Sequence, residues 1–283
     1  MKAPKVVKTP VPLGGQQVAK VGDETMRGVA PTRTVGETRA KNPVTPLQDV
    51  LTLFKIRVTS MVVLTGALGF FLAARKTGAD VMTWQMVATL LGIGLASAGS
   101  AALNQAIEWQ VDLKMARTKE RPVPAGRMSQ RTAVALGLIT LFGGCGLLLV
   151  MTNLLTAVLT LATAAAYVLV YTPLKMITPV STLVGAFPGA MPPVLGWTAI
   201  TGVLDPESLA LFAILFFWQF PHFLAIAWLY RDDYERAGIK MRPVVDQTGR
   251  ITLTEILANG VVLIPVSLTP VLLGMGHAPY VVA

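Results

Sequence analysis

The chain has 283 residues, of which 53% are hydrophobic and only 14% charged, with a formal net charge of +9 and a mean hydropathy of +0.60. A soluble domain carries roughly 25% charged residues, so composition excludes an ordinary soluble globular protein. The positive balance is no sign of a nucleic-acid partner, because the cations fall where membrane topology needs them: ten Lys/Arg from Lys2 to Arg57, six from Lys114 to Arg131, Lys175, and five from Arg231 to Arg250, leaving only Arg75 and Lys76 for the other side. The positive-inside rule then puts the N-terminus and the loops near residues 115, 175 and 240 in the cytoplasm.

Residues 1–45 are rich in Pro, Thr, Gly, Lys and Val and lack an apolar core. They read as a disordered basic cytoplasmic tail rather than a signal peptide. The remainder, 46–283, reads as an all-α, polytopic transmembrane helical bundle. Seven spans are expected near 56–74, 82–107, 132–151, 154–171, 180–201, 208–229 and 252–275, each close to the ~20 residues that cross a bilayer. Thr152-Asn153 leaves room only for a hairpin turn between the third and fourth spans, and Asp205-Pro206-Glu207 is an acidic turn on the outer side. Small residues such as Gly92, Gly94, Gly99, Gly185 and Gly189 permit close helix approach in lipid. Pro188, Pro192 and Pro193 should kink or interrupt the fifth span. The lone Cys145 lies in an apolar segment and is expected to be packing. His277-Ala-Pro-Tyr-Val-Val-Ala has the look of a turn entering a further apolar segment, so the chain is expected to be truncated at its C-terminus.

The second span ends in Asn104-Gln-Ala-Ile-Glu108-Trp-Gln-Val-Asp112. Asn104, Glu108 and Asp112 recur every four residues and therefore share one helical face. A basic loop follows at once, with Lys114, Arg117, Lys119, Arg121, Arg127 and Arg131. Oxygen ligands beside cations suit a Mg²⁺-diphosphate: carboxylates take the hard metal and cations the phosphates. Charged residues at a helix end are common, so the membrane boundary and the basic loop decide for the metal-phosphate reading, and with it for an enzyme acting on a lipid diphosphate.

Three further segments are weaker on their own. Tyr230-Arg231-Asp232-Asp233-Tyr234-Glu235-Arg236 falls on the same side as the Asn104 face, and taken alone it is a solvated loop. Lys175, in Tyr171-Thr-Pro-Leu-Lys175, suits a phosphate, although a single interfacial lysine is by default a snorkelling anchor. Gln219 and His222 lie one turn apart and are expected on one face inside the sixth span, beside Pro221. Either one of them repairs the hydrogen bond that Pro221 breaks, or His222 lines a substrate pocket as an imidazole suited to haem iron. Trp84, Trp109, Trp197, Trp228 and Tyr230 read as an interfacial belt; a few aromatics could instead shield a carbocation.

Taken together these segments resemble the UbiA superfamily of intramembrane aromatic prenyltransferases. The resemblance runs over roughly residues 46–275. It is carried by Lys55-Ile-Arg57-Val, by the Asn104–Asp112 motif continuing through Arg117-Thr-Lys-Glu-Arg121-Pro-Val-Pro-Ala-Gly126-Arg127, by Tyr171–Lys175, and by Ser181–Trp197. Trp218-Gln-Phe-Pro-His222 and Tyr230–Pro243 make it similar to the haem O synthase (protoheme IX farnesyltransferase) branch more than to the quinone branch. The resemblance implies an enzyme of a bacterial inner membrane with its active-site loops cytoplasmic. It implies transfer of farnesyl from farnesyl diphosphate to a vinyl group of haem B, with Mg²⁺ as cofactor, membrane lipid as surroundings, and a haem A synthase or terminal oxidase assembly partner downstream. Carried over by position, Asn104, Glu108, Asp112 and Asp233, with Asp232, are the metal and catalytic set. Arg117, Lys119, Arg121, Lys175 and Arg231 are diphosphate contacts, and His222, Gln219 and Tyr171 lie on the haem side. The chain departs from the family's pattern in three ways. Glu108 stands where many members have Asp; Arg236 and Ala237 stand where an Asp-x-x-x-Asp motif would place its second Asp; and the family has about nine spans. The rival readings are a prenyltransferase of a quinone precursor and, from another class, a membrane transporter. Two acidic motifs on one membrane face argue against transport, which places polar groups at mid-membrane.

Overall fold

The computed structural model describes residues 44–275. The basic tail expected over 1–45 lies outside the described residues up to Pro43, and so does the turn expected at His277. The described residues form helices and no strand, and seven helical segments are long and apolar enough to cross a membrane.

A short helix α1 (Pro46–Leu53) precedes the first span. Thr45 caps it, its hydroxyl accepting from Gln48 N while the Gln48 side chain accepts from Thr45 N, and Pro46 takes the first helical position. The spans are α2 (Ile56–Thr77), α3 (Trp84–Asp112), α4 (Gln130–Met151), then α5 (Leu154–Ala165) running through a π-helical segment (Ala166–Tyr171) into α6 (Thr172–Leu174). The fifth span is split into α7 (Ser181–Ala190) and α8 (Pro192–Thr201); α9 (Pro206–Leu229) is the sixth. Two short helices, α10 (Arg231–Ala237) and α11 (Arg242–Val245), precede the seventh span, α12 (Arg250–Leu272).

Local chemistry sets these boundaries. Thr83, Ser129, Asn153 and Asp205 each accept a backbone N–H of the first turn they precede. Gly78 and Gly202 close α2 and α8 in the left-handed conformation that glycine adopts without strain. The fifth span breaks at Met191 because Pro192 and Pro193 have no N–H to continue the ladder. Pro173 likewise has none, and the fourth span widens to π geometry just before it, with the Thr172 hydroxyl donating to Tyr167 O at 2.9 Å.

Burial is uneven. About three fifths of the apolar window is buried in α3 and in α7–α8, against 28% or less in the other spans. Glycines allow that close packing. A Cβ on Gly196 would lie 1.9 Å from Gly66 O, and one on Gly99 2.5 Å from Leu141 N, so α8 meets α2 and α3 meets α4 backbone to backbone. The second span outlasts its expected end at 107, continuing to Asp112, so the polar row lies within the helix. α1 was not anticipated from the sequence.

Candidate functional site

Asn104, Glu108 and Asp112 occupy the last turns of α3, and all three are buried. A buried carboxylate is costly unless a counter-charge satisfies it. Here three cations come from three other segments, Lys55 and Lys175 from far along the chain and Arg121 from the loop next to α3. The Lys55 ammonium, from the corner between α1 and α2, donates to Asn104 Oδ1 at 2.9 Å. The Lys175 ammonium, after α6, lies 2.6 Å from Glu108 Oε1. Arg121 Nη1, from the loop after α3, donates to both Asp112 oxygens at 2.9 and 2.7 Å. Asn104 Nδ2 in turn donates to Thr172 Oγ1 at 3.1 Å, which fixes the carboxamide with its oxygen toward Lys55.

The cations crowd one another. Burial, reinforced by the positive charge of Arg121 and opposed by Glu108, pulls the Lys55 ammonium down to about 7. Tyr167 OH lies 3.5 Å from the same ammonium, and its ring stacks on Tyr171 with centroids 5.6 Å apart. Tyr171 packs in turn on Gly185, where a Cβ would lie 2.6 Å from the ring.

The basic loop, residues 113–129, is held by both acidic motifs. From α3, Asp112 O accepts the buried Thr118 hydroxyl at 2.9 Å. From α10, the Asp233 carboxylate accepts the N–H groups of Ala116 and Arg117 at 3.3 and 3.4 Å and pairs with Arg236. Desolvation pushes the Asp233 carboxyl up, but these backbone donors and Arg236 outweigh it and hold it below the usual range. From α1, the Asp49 carboxylate takes the Arg127 fork, with Nε at 3.0 Å from each oxygen and Nη2 at 2.9 Å.

The structure therefore gathers Asn104, Glu108, Asp112, Arg121 and Lys175 into one cluster with Tyr171 beside it. Asp233 meets the loop's backbone from outside, and Arg117 lies over the Tyr230 ring at 5.2 Å. Asp232 and Lys119 are exposed, and Arg231 lies over Trp228 at 5.6 Å. The expectation that Gln219 and His222 share one face is corrected. Gln219 is buried, donating to the carbonyls of Ala186 and Leu215 at 3.1 Å each rather than to Phe217 O, which Pro221 cannot reach. His222 points outward and stacks on Trp218 with centroids 4.6 Å apart. The 60° between positions three apart on a helix is enough to put one inside and the other outside.

Four residues of the cluster were not singled out as site residues from sequence: Lys55, Thr172, Tyr167 and Asp49. The signal for Lys55 was its position, a lysine just before a span; nothing local marked the others.

The donors fit a hard divalent cation. One carboxamide and two carboxylate oxygens share a face, and Glu108 Oε1 is buried with no aligned hydrogen bond beyond its ionic contact. Among the described residues no group of three His, Cys, Asp or Glu could hold a metal. A Mg²⁺ ion here would thus complete its shell with water and ligand phosphate oxygens, as it commonly does.

A model of the UbiA prenyltransferase family matches residues 62–283. A protoheme IX farnesyltransferase from Koribacter versatilis is 52% identical over 237 residues, covering 84% of this chain and 76% of that protein. Another, from Solibacter usitatus, is 45% identical over 242 residues, covering 83% of each. Among solved structures, a UbiA homolog from Archaeoglobus fulgidus bound to GPP and Mg²⁺ superposes with a TM-score of 0.65 at 19% identity, over 83% of this chain and 81% of that one; at that identity the likeness shows the fold. This chain is an integral membrane protein and belongs to the UbiA prenyltransferase family.

Proposed function

We propose that this chain is a protoheme IX farnesyltransferase, joining the farnesyl group of farnesyl diphosphate to a vinyl carbon of haem B to give haem O. One observation carries the reading: a buried row of oxygen donors at one end of the bundle, met by three cations from three segments. The relatives named above supply the acceptor's identity.

In this reading Lys55, Arg121 and Lys175 turn from the protein's own oxygens to the diphosphate. They hold it in place and neutralise the charge that grows as its bond to farnesyl breaks. Asn104, Glu108 and Asp112 would hold Mg²⁺, which would supply further neutralisation of the departing pyrophosphate. Asp233 keeps the loop that carries Arg117 and Arg121 closed over the cluster. Arg117, Lys119 and Arg231 form an electropositive approach to it. The stacked Tyr167 and Tyr171 rings offer π faces to the allylic cation. The haem vinyl attacks that cation, and water adds to the resulting centre to complete the hydroxyethylfarnesyl chain. Exclusion of water until then protects the cation. We place the cluster on the cytoplasmic face of a bacterial inner membrane, because 22 of the 24 Lys/Arg fall on that side, with a haem A synthase or oxidase assembly factor receiving the product.

The test is a product assay. Membranes containing the chain receive haem B, farnesyl diphosphate and Mg²⁺, and extracted haems are weighed by mass spectrometry. A haem heavier by one hydroxyethylfarnesyl group, lost on chelation of Mg²⁺, is the expected result. Farnesylation of an aromatic quinone precursor in place of haem would transfer the reading to the quinone branch.

A further inference from the structure

Gln105 follows Asn104 on α3 and is fully buried. Its Nε2 donates to Leu53 O at 2.7 Å and to Thr52 O at 2.9 Å, the last carbonyls of α1. Its Oε1 is buried with no partner. Two residues beyond Leu53, the chain turns sharply. Lys55 takes φ 46 and ψ 50, and among the described residues it alone has positive φ without being glycine. An L-residue holds this left-handed conformation only where its surroundings over-determine it. A helix that merely needed to end there would be better served by glycine. What lysine adds is its ammonium, which reaches Asn104 Oδ1 at 2.9 Å. Adjacent residues of α3 thus hold one corner twice: the Gln105 side chain takes the backbone carbonyls that lead into it, and the Asn104 side chain takes the Lys55 ammonium.

We propose that Gln105 is a positioning residue: by clamping the end of α1 it fixes the strained Lys55 corner and sets the Lys55 ammonium where the diphosphate binds. The inference rests on the reading that this cluster takes a prenyl diphosphate. A plain structural role, capping α1, would stabilise the protein without acting through Lys55. A half-satisfied carboxamide is a poor choice for that task alone, since its buried acceptor goes unpaired. Two further holds on α1, the packing of Leu53 on Ala102 and Ala106 and the Asp49–Arg127 fork, do not reach the Lys55 ammonium.

The test uses the full chain in nanodiscs with Mg²⁺. Farnesyl thiolodiphosphate, an unreactive analogue, reports equilibrium binding, and turnover with haem B reports kcat and KM. Gln105→Met keeps length and removes both donors. Loss of one charge-assisted contact predicts analogue binding weakened about tenfold, with KM raised in parallel and kcat nearly unchanged. Lys55→Met should weaken binding at least as much. The double variant should be no worse than Lys55→Met alone, because Gln105 acts only through that lysine. Effects that multiply in the double variant, or a Gln105→Met protein binding the analogue like wild type, would overturn the proposal. Should Gln105→Met fail to insert, Gln105→Glu, similar in shape but with a single proton at most to donate, carries the same cycle. A wild-type chain that does not bind the analogue would overturn the diphosphate reading itself, and the two failures are thereby told apart.

Discussion

The two ends of the bundle, called inner and outer after the orientation proposed above, use the same residue types to opposite purpose. At the outer end Lys76, closing α2, pairs with Glu207 and lies 3.9 Å from Asp205. It also sits over the Trp197 ring at 5.6 Å, while Trp197 Nε1 donates to Asp205 Oδ2 at 3.1 Å. Two of its partners there have structural work of their own: Asp205 caps α9, and Trp197 is wholly buried in α8. The Lys76 side chain is 44% exposed, so water already satisfies much of its charge. At the inner end Asn104, Glu108 and Asp112 are 3%, 6% and 0% exposed. They cap nothing, and their cations arrive from the corner at 55, the loop at 121 and the turn at 175. A half-exposed ion pair that fastens neighbouring helix ends is cheap, even where its partners lie 131 positions apart in sequence. A buried row of two acids and a carboxamide, met by cations from three other segments, costs stability, and it makes sense as a place where charge is exchanged with a ligand.

The comparison breaks most sharply at Asp112. Asp112→Ala should abolish transfer, by at least about a thousandfold, since it removes a metal ligand and releases Arg121 together. The protein should still insert and run as a monodisperse species. Retained product formation in that variant would sink the metal assignment. Next is Lys175→Met, which strands Glu108 without its counter-charge. Removing one partner of a buried pair costs about 3–5 kcal/mol, read as a lower Tm. Adding Glu108→Gln should recover most of that stability while transfer stays lost. If the double variant recovered both, the pair would be a fastener like the outer one. Smaller again is Asp49→Asn, which replaces a charged fork with a neutral acceptor for the partly exposed Arg127. A loss of about 1 kcal/mol is expected, with faster proteolysis of the loop at 113–129 as the local readout.

The inner end was largely legible in the sequence, because its acids lie on one helix and a period of four announces a shared face. The seven spans were legible for the same kind of reason: apolar length is a local property. What was not legible is everything that depends on which segments meet. The family resemblance, carried over by position, makes Asp233 a metal ligand. Only the fold shows that it also holds the Ala116 and Arg117 amides. Lys55 sits 49 positions from Asn104, and its left-handed backbone has no signature in a lysine side chain. The π segment over Ala166–Tyr171, across which Tyr167 stacks on Tyr171, has no signature in the residues that form it.

At the outer end, Lys76→Met should cost less than about 1 kcal/mol, as half-exposed pairs do, and leave transfer unchanged. A large loss of transfer without a change in Tm would extend the site to that end.

The smallest effect is expected between the ends, at His222 within α9. Its ring lies against Trp218 on the outward side of α9, and both are exposed from the protein interior. Gln219, three residues earlier, turns inward to the α7 backbone instead. A substitution on that outward surface away from caps and cavities changes stability by about 0.5 kcal/mol or less. His222→Ala should therefore leave both Tm and the KM for farnesyl diphosphate near their wild-type values. The informative quantity is the KM for haem B. If it too is unchanged, the Trp218–His222 face looks to lipid and the acceptor enters elsewhere. If it alone rises tenfold or more, haem approaches along the outer surface of α9, and the division into a working end and a fastened end gains a third region, a lateral entry for the acceptor.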